Sequence, residues 1–547
     1  MNSMQKTGWL DSRWFQRMLE IFPGTLSWTF LSMPIILSIF RPIWVAYFII
    51  AFDLFWLIKS FRLAVNLIRG YNRLHQAQRV DWQGELKGLY NIPKRIAELQ
   101  ESYKKLPRTS VKRPYVEQQL AQWRDLGERQ TTIIDPSEIY NAVIIATYNE
   151  SNDVLEPSVK ALTEAEYDLD KLILIIAFEE RGGPEIEKTA HALIKKYGSK
   201  FKYAAAIKHP DGLAGEVKGG GKGPNITWAG RELTKYIESE GIAPENVIVT
   251  TLDSDHRPST QYFSQLTFMY ATDVNRLRRS YQPIAMFLNN IWDAPAPMRL
   301  IATSNSFWLL MESMRPNRMR NFAAHAQGLA PLIETDYWST TTIVEDGHQY
   351  WRSYFAFDGD HKVVPLYTPV YQDAVLADTY ARTFKVQYLQ LRRWAWGVTD
   401  IPYVIKESIR NKRAPLGDKL VQLGRLIEGH FSWATAPLIV TFVAWLPLYL
   451  NSDFSDNILA HQLPIITSRI MTVALIGMFI TIVLSLISLP PRPARYKRRR
   501  HIGMLLQWVL VPFTSIIFSA CAALDSQTRL MLGKHLEFFV TEKGTRK

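Results

Sequence analysis

Cysteine is almost missing from this chain. Its 547 residues include one, Cys521, set in an apolar run. That excludes an intrachain disulfide framework and a Cys-rich zinc site, and leaves a small buried side chain or a lone thiol. Long uncharged runs are absent from the middle: between Arg69 and about Gly429 every apolar stretch is short and cut by charges, so nothing there is long enough to cross a bilayer. Acidic residues are outnumbered, 51 Asp and Glu against 64 Lys and Arg, a net charge of +13. Such an excess fits nucleic acid, anionic lipid or a phosphorylated ligand. No small-residue cleavage site follows the first apolar run, and a second run begins at once, so a removable signal peptide is not expected. No internal repeat of the paired, broken spans typical of a transporter is visible.

Membrane-length runs are present at both ends. Ile21 to Phe40 is uncharged, Arg41-Pro42 breaks it, and Ile43 to Ile58 continues apolar apart from Asp53. This predicts a helical hairpin within 1–69. Asp53 either lines a polar path or has a local partner such as Lys59 or Arg62. Further runs lie at Phe431–Leu450, Ile470–Leu489 and Ile502–Leu524. Lys6, Arg13 and Arg17 precede the first run. Arg69 and Arg73 follow the second, and the gap 492–500 is densely basic, whereas 451–462 has Asp453 and Asp456 and no Lys or Arg. By the positive-inside rule the N-terminus, a large central domain and the basic gap are cytoplasmic, and the gap reads as an anchor on anionic headgroups rather than a nucleic-acid arm. A spanning 502–524 would put the basic tail (Arg529, Lys534, Lys543, Arg546, Lys547) outside. Pro512, Thr514 and Ser515 lie mid-run, so a broken or re-entrant segment and a cytoplasmic tail are expected.

The central region divides by composition. Residues 70–135 are charged, rich in helix formers and punctuated by Pro93, Pro107 and Pro114, and predict flanking helices. From 136 to 415 short apolar strands (Ala142–Ala146, Leu172–Phe178, Val247–Leu252) alternate with helical stretches at 154–166, 185–197 and 227–240. Continuous apolar strands are those of a sheet buried on both faces, and the alternation predicts a doubly wound α/β domain whose ligands bind beyond the strands' carboxyl ends. An interfacial helix at 416–430, a membrane region at 431–524 and a tail at 525–547 complete the plan.

Polar residues end each strand. Thr147-Tyr148-Asn149-Glu150 follows the first, Glu179-Glu180 the second, and Asp253-Ser254-Asp255 the third. Two carboxylates so spaced suit Mg2+ or Mn2+ bridging to a diphosphate, although Asp-x-Asp is common on surfaces. Lys218 to Asn225 is a basic glycine loop that either approaches phosphates through amides and lysines or is simply mobile. It lacks the P-loop spacing. Glu345-Asp346 offers a general base or a helix N-terminal acid. Gln390-Leu391-Arg392-Arg393-Trp394 places an amide, a guanidinium fork and an indole on about one helix face, a set that suits a diphosphate beside a sugar ring. A buried Trp and an exposed Arg on a helix is the plain alternative.

Taken in order, Ala146-Thr147-Tyr148-Asn149-Glu150, Asp253-Ser254-Asp255, Glu345-Asp346 and Gln390-Leu391-Arg392-Arg393-Trp394 resemble the motifs of the membrane-integrated family 2 glycosyltransferases, the group of cellulose, hyaluronan and chitin synthases. The resemblance covers roughly 140–410. It implies a GT-A fold, a UDP- or GDP-linked sugar donor, inversion at the anomeric carbon, a Mg2+ or Mn2+ cofactor and a glycan or lipid-linked acceptor. It implies donor contacts from Thr147, Asn149, Glu150, Glu180, Lys222, Asp253, Gln390 and Arg393. Asp253 and Asp255 would hold metal, Asp255 the firmer ligand. Asp346 would be the base, and Glu345 and Trp394 would meet the acceptor. Phe538 to Lys543 looks like a tail segment that returns to the active-site mouth. Glu179-Glu180-Arg181-Gly182 departs from the family's Asp-Asp-Gly, Val344-Glu345-Asp346 from Thr-Glu-Asp, and no Gly-Asp-Asp-Arg is present, so no polymer is assigned. Single-sugar transfer to a lipid-linked acceptor is the second enzymatic reading, and a transporter or nucleotide sensor the non-enzymatic one.

Overall fold

The computed structural model describes residues 8–110 and 113–541. Its centre is an eight-stranded sheet in the order β3-β2-β1-β4-β7-β6-β8-β5. The strands are β1 (Tyr140–Thr147), β2 (Leu172–Glu179), β3 (Tyr203–His209), β4 (Val247–Asp253), β5 (Arg257–Pro258), β6 (Arg279–Met286), β7 (Ala326–Gly328) and β8 (Lys362–Tyr371). The first four in that order are parallel, with Ile144 level with Ile175 and Thr251. The sheet as a whole is mixed, because β7 runs antiparallel to both β4 and β6. Three of the strands stand where continuous apolar runs put them. β3, β6, β7 and β8 carry weaker patterns.

Side chains of a strand alternate between its faces, and here each face has its own core. Val143, Ile145, Leu174 and Ile176 pack on one side with the helices Asn152–Thr163, Pro184–Tyr197 and Tyr262–Thr272. Ala142, Ile144, Ile173 and Ile175 pack on the other against the helix Lys222–Ser239. Each fully buried isoleucine contributes about 1.5–3 kcal/mol relative to exposure. The flanking region forms helices Trp82–Gly88, Ile92–Lys105 and Arg113–Glu128. Trp123 and Leu126 of the last join the first core, and the Trp123 indole donates to the buried Glu85 carboxylate at 2.7 Å.

Among the described residues, five helices are long and apolar enough to cross a membrane. α1 (Arg13–Phe40) and α2 (Pro42–Ala77) meet at Arg41, whose extended backbone breaks the rod where Pro42 cannot donate an N–H. The helix Leu416–Phe442 runs unbroken, so residues 416–430 are its first half rather than a separate interfacial element. It continues through a short 3-10 turn to Leu450. Asn451 donates to the Ile39 carbonyl at 2.8 Å, so this helix ends beside the far end of α1. The helix Ile458–Ile487 then returns to the domain, where the Trp292 indole donates to the Pro490 carbonyl. Asp53 is buried, and Lys59, one of its expected partners, pairs instead with Glu428.

The last apolar stretch, Arg500–Met531, behaves differently. It changes from α to 3-10 at Gln507–Leu510 and to π over Thr514–Ala520, around Pro512, the irregular hydrogen bonding that a proline and nearby hydroxyls impose. Both of its ends touch the α/β domain or the start of α1. Arg500 donates to the Trp292 carbonyl and Gln507 accepts from Arg299. At the other end Asp525 pairs with Arg392, and Arg17 donates to the Leu530 and Met531 carbonyls.

Candidate active site

β1, β2 and β4 end side by side, and the turns that follow them interlock. Thr147 donates from Oγ1 to Glu150 Oε2 at 2.7 Å, and the Tyr148 amide donates to the same oxygen. Glu150 thus shapes the turn with one oxygen and leaves the other for a ligand. Asn149 is exposed beside it. After β2, Glu179 is buried and pairs with Arg181, whose guanidinium lies 4.2 Å from the Tyr148 ring centre. Burial pushes the Glu179 carboxyl up, against the pull of Arg181. Glu180 is exposed and accepts from the Asp211 amide. The two consecutive acids therefore divide: Glu179 braces the floor and Glu180 faces outward.

The glycine loop closes over this floor for steric reasons. Gly220 has φ +68°, and a Cβ there would come within 2.4 Å of Arg181 Nε and 2.5 Å of Glu179 Oε2. At Gly223 a Cβ would lie 2.3 Å from the Ser339 carbonyl oxygen. Only glycine fits either position. Lys222 to Asn225, expected in the loop, are instead the first turn of the helix Lys222–Ser239. The Asn225 amide holds that turn down by donating to the Thr147 and Ala177 carbonyls, the ends of β1 and β2.

Lys222 is consequently fixed at the centre of an acidic cluster. Its Nζ lies 2.9 Å from Asp253 Oδ1, 3.3 Å from Asp346 Oδ1 and 3.9 Å from Glu345 Oε1. Glu345 and Asp346 are first-turn acids of the helix Glu345–Ala356. Burial alone would pull the lysine down, but Asp253, Asp346 and Glu345 outweigh it and hold the amine above its ordinary range. Burial and the neighbouring Asp346 charge push the Glu345 carboxyl up. His325, fully buried, stands 3.5 Å from Asp346 Oδ1. The Trp338 indole donates to its Nε2 at 3.0 Å. Indole is only a donor, so the proton sits on Nδ1, facing the Phe322 carbonyl and Asp346. Burial lowers this histidine and keeps it neutral.

Asp253, Asp255 and His256 bring one ligand atom each within 4.8 Å of one another. His256 Nδ1 accepts from the Asp253 amide at 3.1 Å, which leaves the proton on Nε2, toward Asp253. A protonated ring nitrogen does not bind metal, so the donors this group could offer a cation are the two carboxylates. All-oxygen donors fit Mg2+ or Mn2+. Asp255 is buried and steadied by the Asp373 amide, which donates to Oδ2 at 2.8 Å.

The helix Tyr380–Ala395 supplies the remaining wall. Arg392 and Arg393 diverge: the first pairs with Asp525, and the second acts on Glu345 through its charge and lies 4.9 Å from the Phe538 ring centre. Phe538 also covers the glycine loop, within 3.5 Å of where a Gly221 Cβ would stand. Gln390 is buried and accepts from Gln387. Trp394 packs near Phe287, on the side of the last apolar helix. Of the tail segment Phe538–Lys543, Glu542 and Lys543 lie outside the described residues.

Asp253, Glu345, Asp346, Lys222 and Arg393 thus converge, with Asp255 beside Asp253. Thr147, Asn149 and Glu150 lie at the strand-end floor with Glu180 facing outward at its edge, and Gln390 and Trp394 extend the helix wall. Sequence reasoning missed Arg181, His325 and Asp373. Arg181 had a signal in its place after the double glutamate. The other two had none.

No family model matches the chain, and no curated protein matches it in sequence. Solved structures align at low similarity. The mannosyltransferase PcManGT from Pyrobaculum calidifontis, in complex with GDP-Man and Mn2+, is 13% identical with a TM-score of 0.42, over 86% of this chain and 100% of that one. TarS 1-349 of S. aureus in complex with UDP-GlcNAc is 12% identical with a TM-score of 0.34, over 74% and 95%. GalNAc-T7 with UDP, GalNAc and Mn2+ is 12% identical with a TM-score of 0.34, over 53% and 58%. At these scores the similarities assign neither fold nor activity.

Proposed function

We propose that the chain is a membrane-embedded, GT-A-type inverting glycosyltransferase that moves a sugar from a UDP- or GDP-linked donor to a growing glycan. One observation carries this reading: acids from two distant segments, Asp253 and Asp346, share the Lys222 ammonium, with Arg393 acting through its charge on the adjacent Glu345. That arrangement puts a proton acceptor and two fixed cations around one space. The nucleoside would rest on Thr147, Asn149 and Glu150, with Glu180 at the rim. Lys222, Gln390 and Arg393 would hold the diphosphate, and Glu345 and Trp394 the acceptor sugar. Asp346 takes the proton of the acceptor hydroxyl, and the freed oxygen attacks the anomeric carbon from the face opposite the diphosphate. The bond to the diphosphate oxygen breaks, and its electron pair stays on that oxygen, where Arg393 and Lys222 stabilise the charge. Mg2+ or Mn2+, held by Asp253 and Asp255, would supply further neutralisation of the leaving group.

Membrane placement follows from connectivity. With α1, α2, 416–450 and 458–487 as spans and 500–531 lying along the domain side, the start of α1, the described end of the chain and the α/β domain would share one face. The charge distribution makes that face cytoplasmic, as it would be for an enzyme of the inner membrane.

Asp346→Asn tests the catalytic reading. Transfer from a panel of UDP- and GDP-sugars should fall by about 10²–10⁴-fold, the usual worth of a general base, while the nucleotide sugar still binds. Transfer at the wild-type rate would refute the assignment.

A further inference from the structure

One cavity lies away from the acidic cluster, where α1 begins. It has a volume of about 450 Å³ and is lined by Arg13, Gln16, Arg17, Glu20, Leu532, Gly533 and His535. One wall is the first turns of α1. The other is the turn after Met531, whose Gly533, at φ +70°, lies against the Arg17 guanidinium.

The lining is cationic, and its single acid is already used. Glu20 is paired with Arg17 and accepts from Gln16 at 2.7 Å. Gln16 in turn accepts from Lys406. Arg17 also caps the last helix through the Leu530 and Met531 carbonyls. Among the described residues Arg13 has no hydrogen-bond or ion-pair partner, and it is exposed at the cavity mouth, with His535 exposed opposite. Asp11, two residues from Arg13, is engaged by Arg410 and Lys406, and Glu537, two residues beyond His535, is exposed outside the lining. The cavity therefore offers unneutralised positive charge to an anion.

Leu532, 59% exposed, is the apolar side chain of the cavity lining. On the neighbouring surface of α1, Trp14 is 73% exposed and Met18 42%. Trp14, Met18 and Phe22 follow one another at four-residue spacing on one face of α1, and Phe22 belongs to the exposed apolar surface of the run that follows. Exposed Trp at the mouth of an apolar helix marks the membrane–water interface. Arg17 precedes Ile21, where the uncharged run begins, by about 6 Å along the helix, within the headgroup layer of a bilayer.

We propose that this cavity binds the phosphate of an anionic membrane lipid, with Arg13 and His535 as its ligands and Leu532 toward the acyl chains. Its place in the headgroup layer at the start of an apolar helix favours a lipid over a free phosphate. The proposal rests on reading α1 as a membrane span and does not depend on the transferase reading.

The test uses the purified full chain, delipidated in mild detergent, with bound lipid counted by native mass spectrometry. Phosphatidylglycerol should be retained in preference to phosphatidylcholine. Arg13→Gln should lower phosphatidylglycerol retention by about five-fold, the factor one Lys or Arg contributes near a membrane surface, and His535→Gln should lower it by a smaller factor through the loss of one ring contact. Phosphatidylcholine retention and thermal unfolding should be unchanged. Three outcomes would overturn the proposal. The variants keep phosphatidylglycerol like the wild type, which would place the lipid elsewhere, such as on the 492–500 segment. Both lipids bind equally, which would leave only apolar contact. Millimolar inorganic phosphate displaces the lipid completely, which would mark a free-anion site.

Discussion

Asp253 at the end of β4 and Asp346 at the start of a later helix are bridged by one ammonium, that of Lys222. Three carboxylates face this buried cation, so its removal leaves them uncompensated. Breaking a buried ion pair by removing one partner costs about 3–5 kcal/mol. Lys222→Met should therefore lower the thermal unfolding temperature of the purified protein and abolish sugar transfer together. Unchanged stability would mean that the three acids do not depend on the lysine in solution.

Gly223 tests the steric part of the site with a single carbon. An alanine there needs room 2.3 Å from the Ser339 carbonyl oxygen, which is backbone and cannot swing aside. The first turn of the helix must lift, and Lys222 lifts with it. Gly223→Ala should cost about 1–3 kcal/mol as an overpacking change and weaken nucleotide-sugar binding in calorimetry. Gly241, in open space at φ +67°, is the control: alanine there should cost stability through backbone strain alone and leave binding intact.

The legible parts of this molecule were those with a local pattern. β1, β2 and β4 are continuous apolar runs and were found with their polar ends. β7 is three residues long and makes the sheet mixed through its pairing with β4 and β6, and no periodicity can announce so short a strand. The acids of the cluster were nameable from motifs. The service of Lys222 as their common counter-ion was not, because it depends on Gly223 and Asn225 bringing a helix turn down onto the strand ends. His325 is known only through Trp338 and Asp346, which are its neighbours in space. The pairing of Lys59 with Glu428 likewise joins distant helices, and a reading confined to neighbouring residues could offer only Lys59 or Arg62 as one of the alternatives for Asp53.

A buried histidine should make the α/β domain sensitive to acid, and comparison with a His361 variant isolates its share from those of raised carboxyls such as Glu345. His361 is buried beside Ser280, with its Nε2 3.2 Å from the hydroxyl. Burial, aided by Arg279, lowers it to about 3. The unfolded chain takes up this proton near pH 6.5, and the folded chain does not until about 3. The histidine's neutral, buried state is thus without penalty above pH 6.5, and stability falls as pH drops through the window below it. The slope is about 1.4 kcal/mol per pH unit for one such group, and His325, lowered in the same sense, adds to it. Unfolding measured between pH 6.5 and about 4.5 should show this slope, and His361→Asn should reduce it. An unchanged slope in the variant would show that His361 protonates freely in the folded protein.

The path of the last helix decides which side the tail occupies. With the four crossings proposed above, the chain would return to the domain side at Pro490, and a fifth would carry Lys534 away from it. Yet Phe538 touches Arg393, and Arg17, at the start of α1, holds the Leu530 and Met531 carbonyls. Contacts at both ends keep the segment 500–531 on the side where it began, and its π and 3-10 turns allow the bend that a regular helix resists. Replacing the native thiol by Cys521→Ala permits a direct check with a membrane-impermeant maleimide. Lys534→Cys and Lys412→Cys should label from the same face of sealed vesicles, and Asp453→Cys from the opposite one. Labelling of Lys534→Cys together with Asp453→Cys would instead require a fifth crossing and would separate the tail from the site it covers.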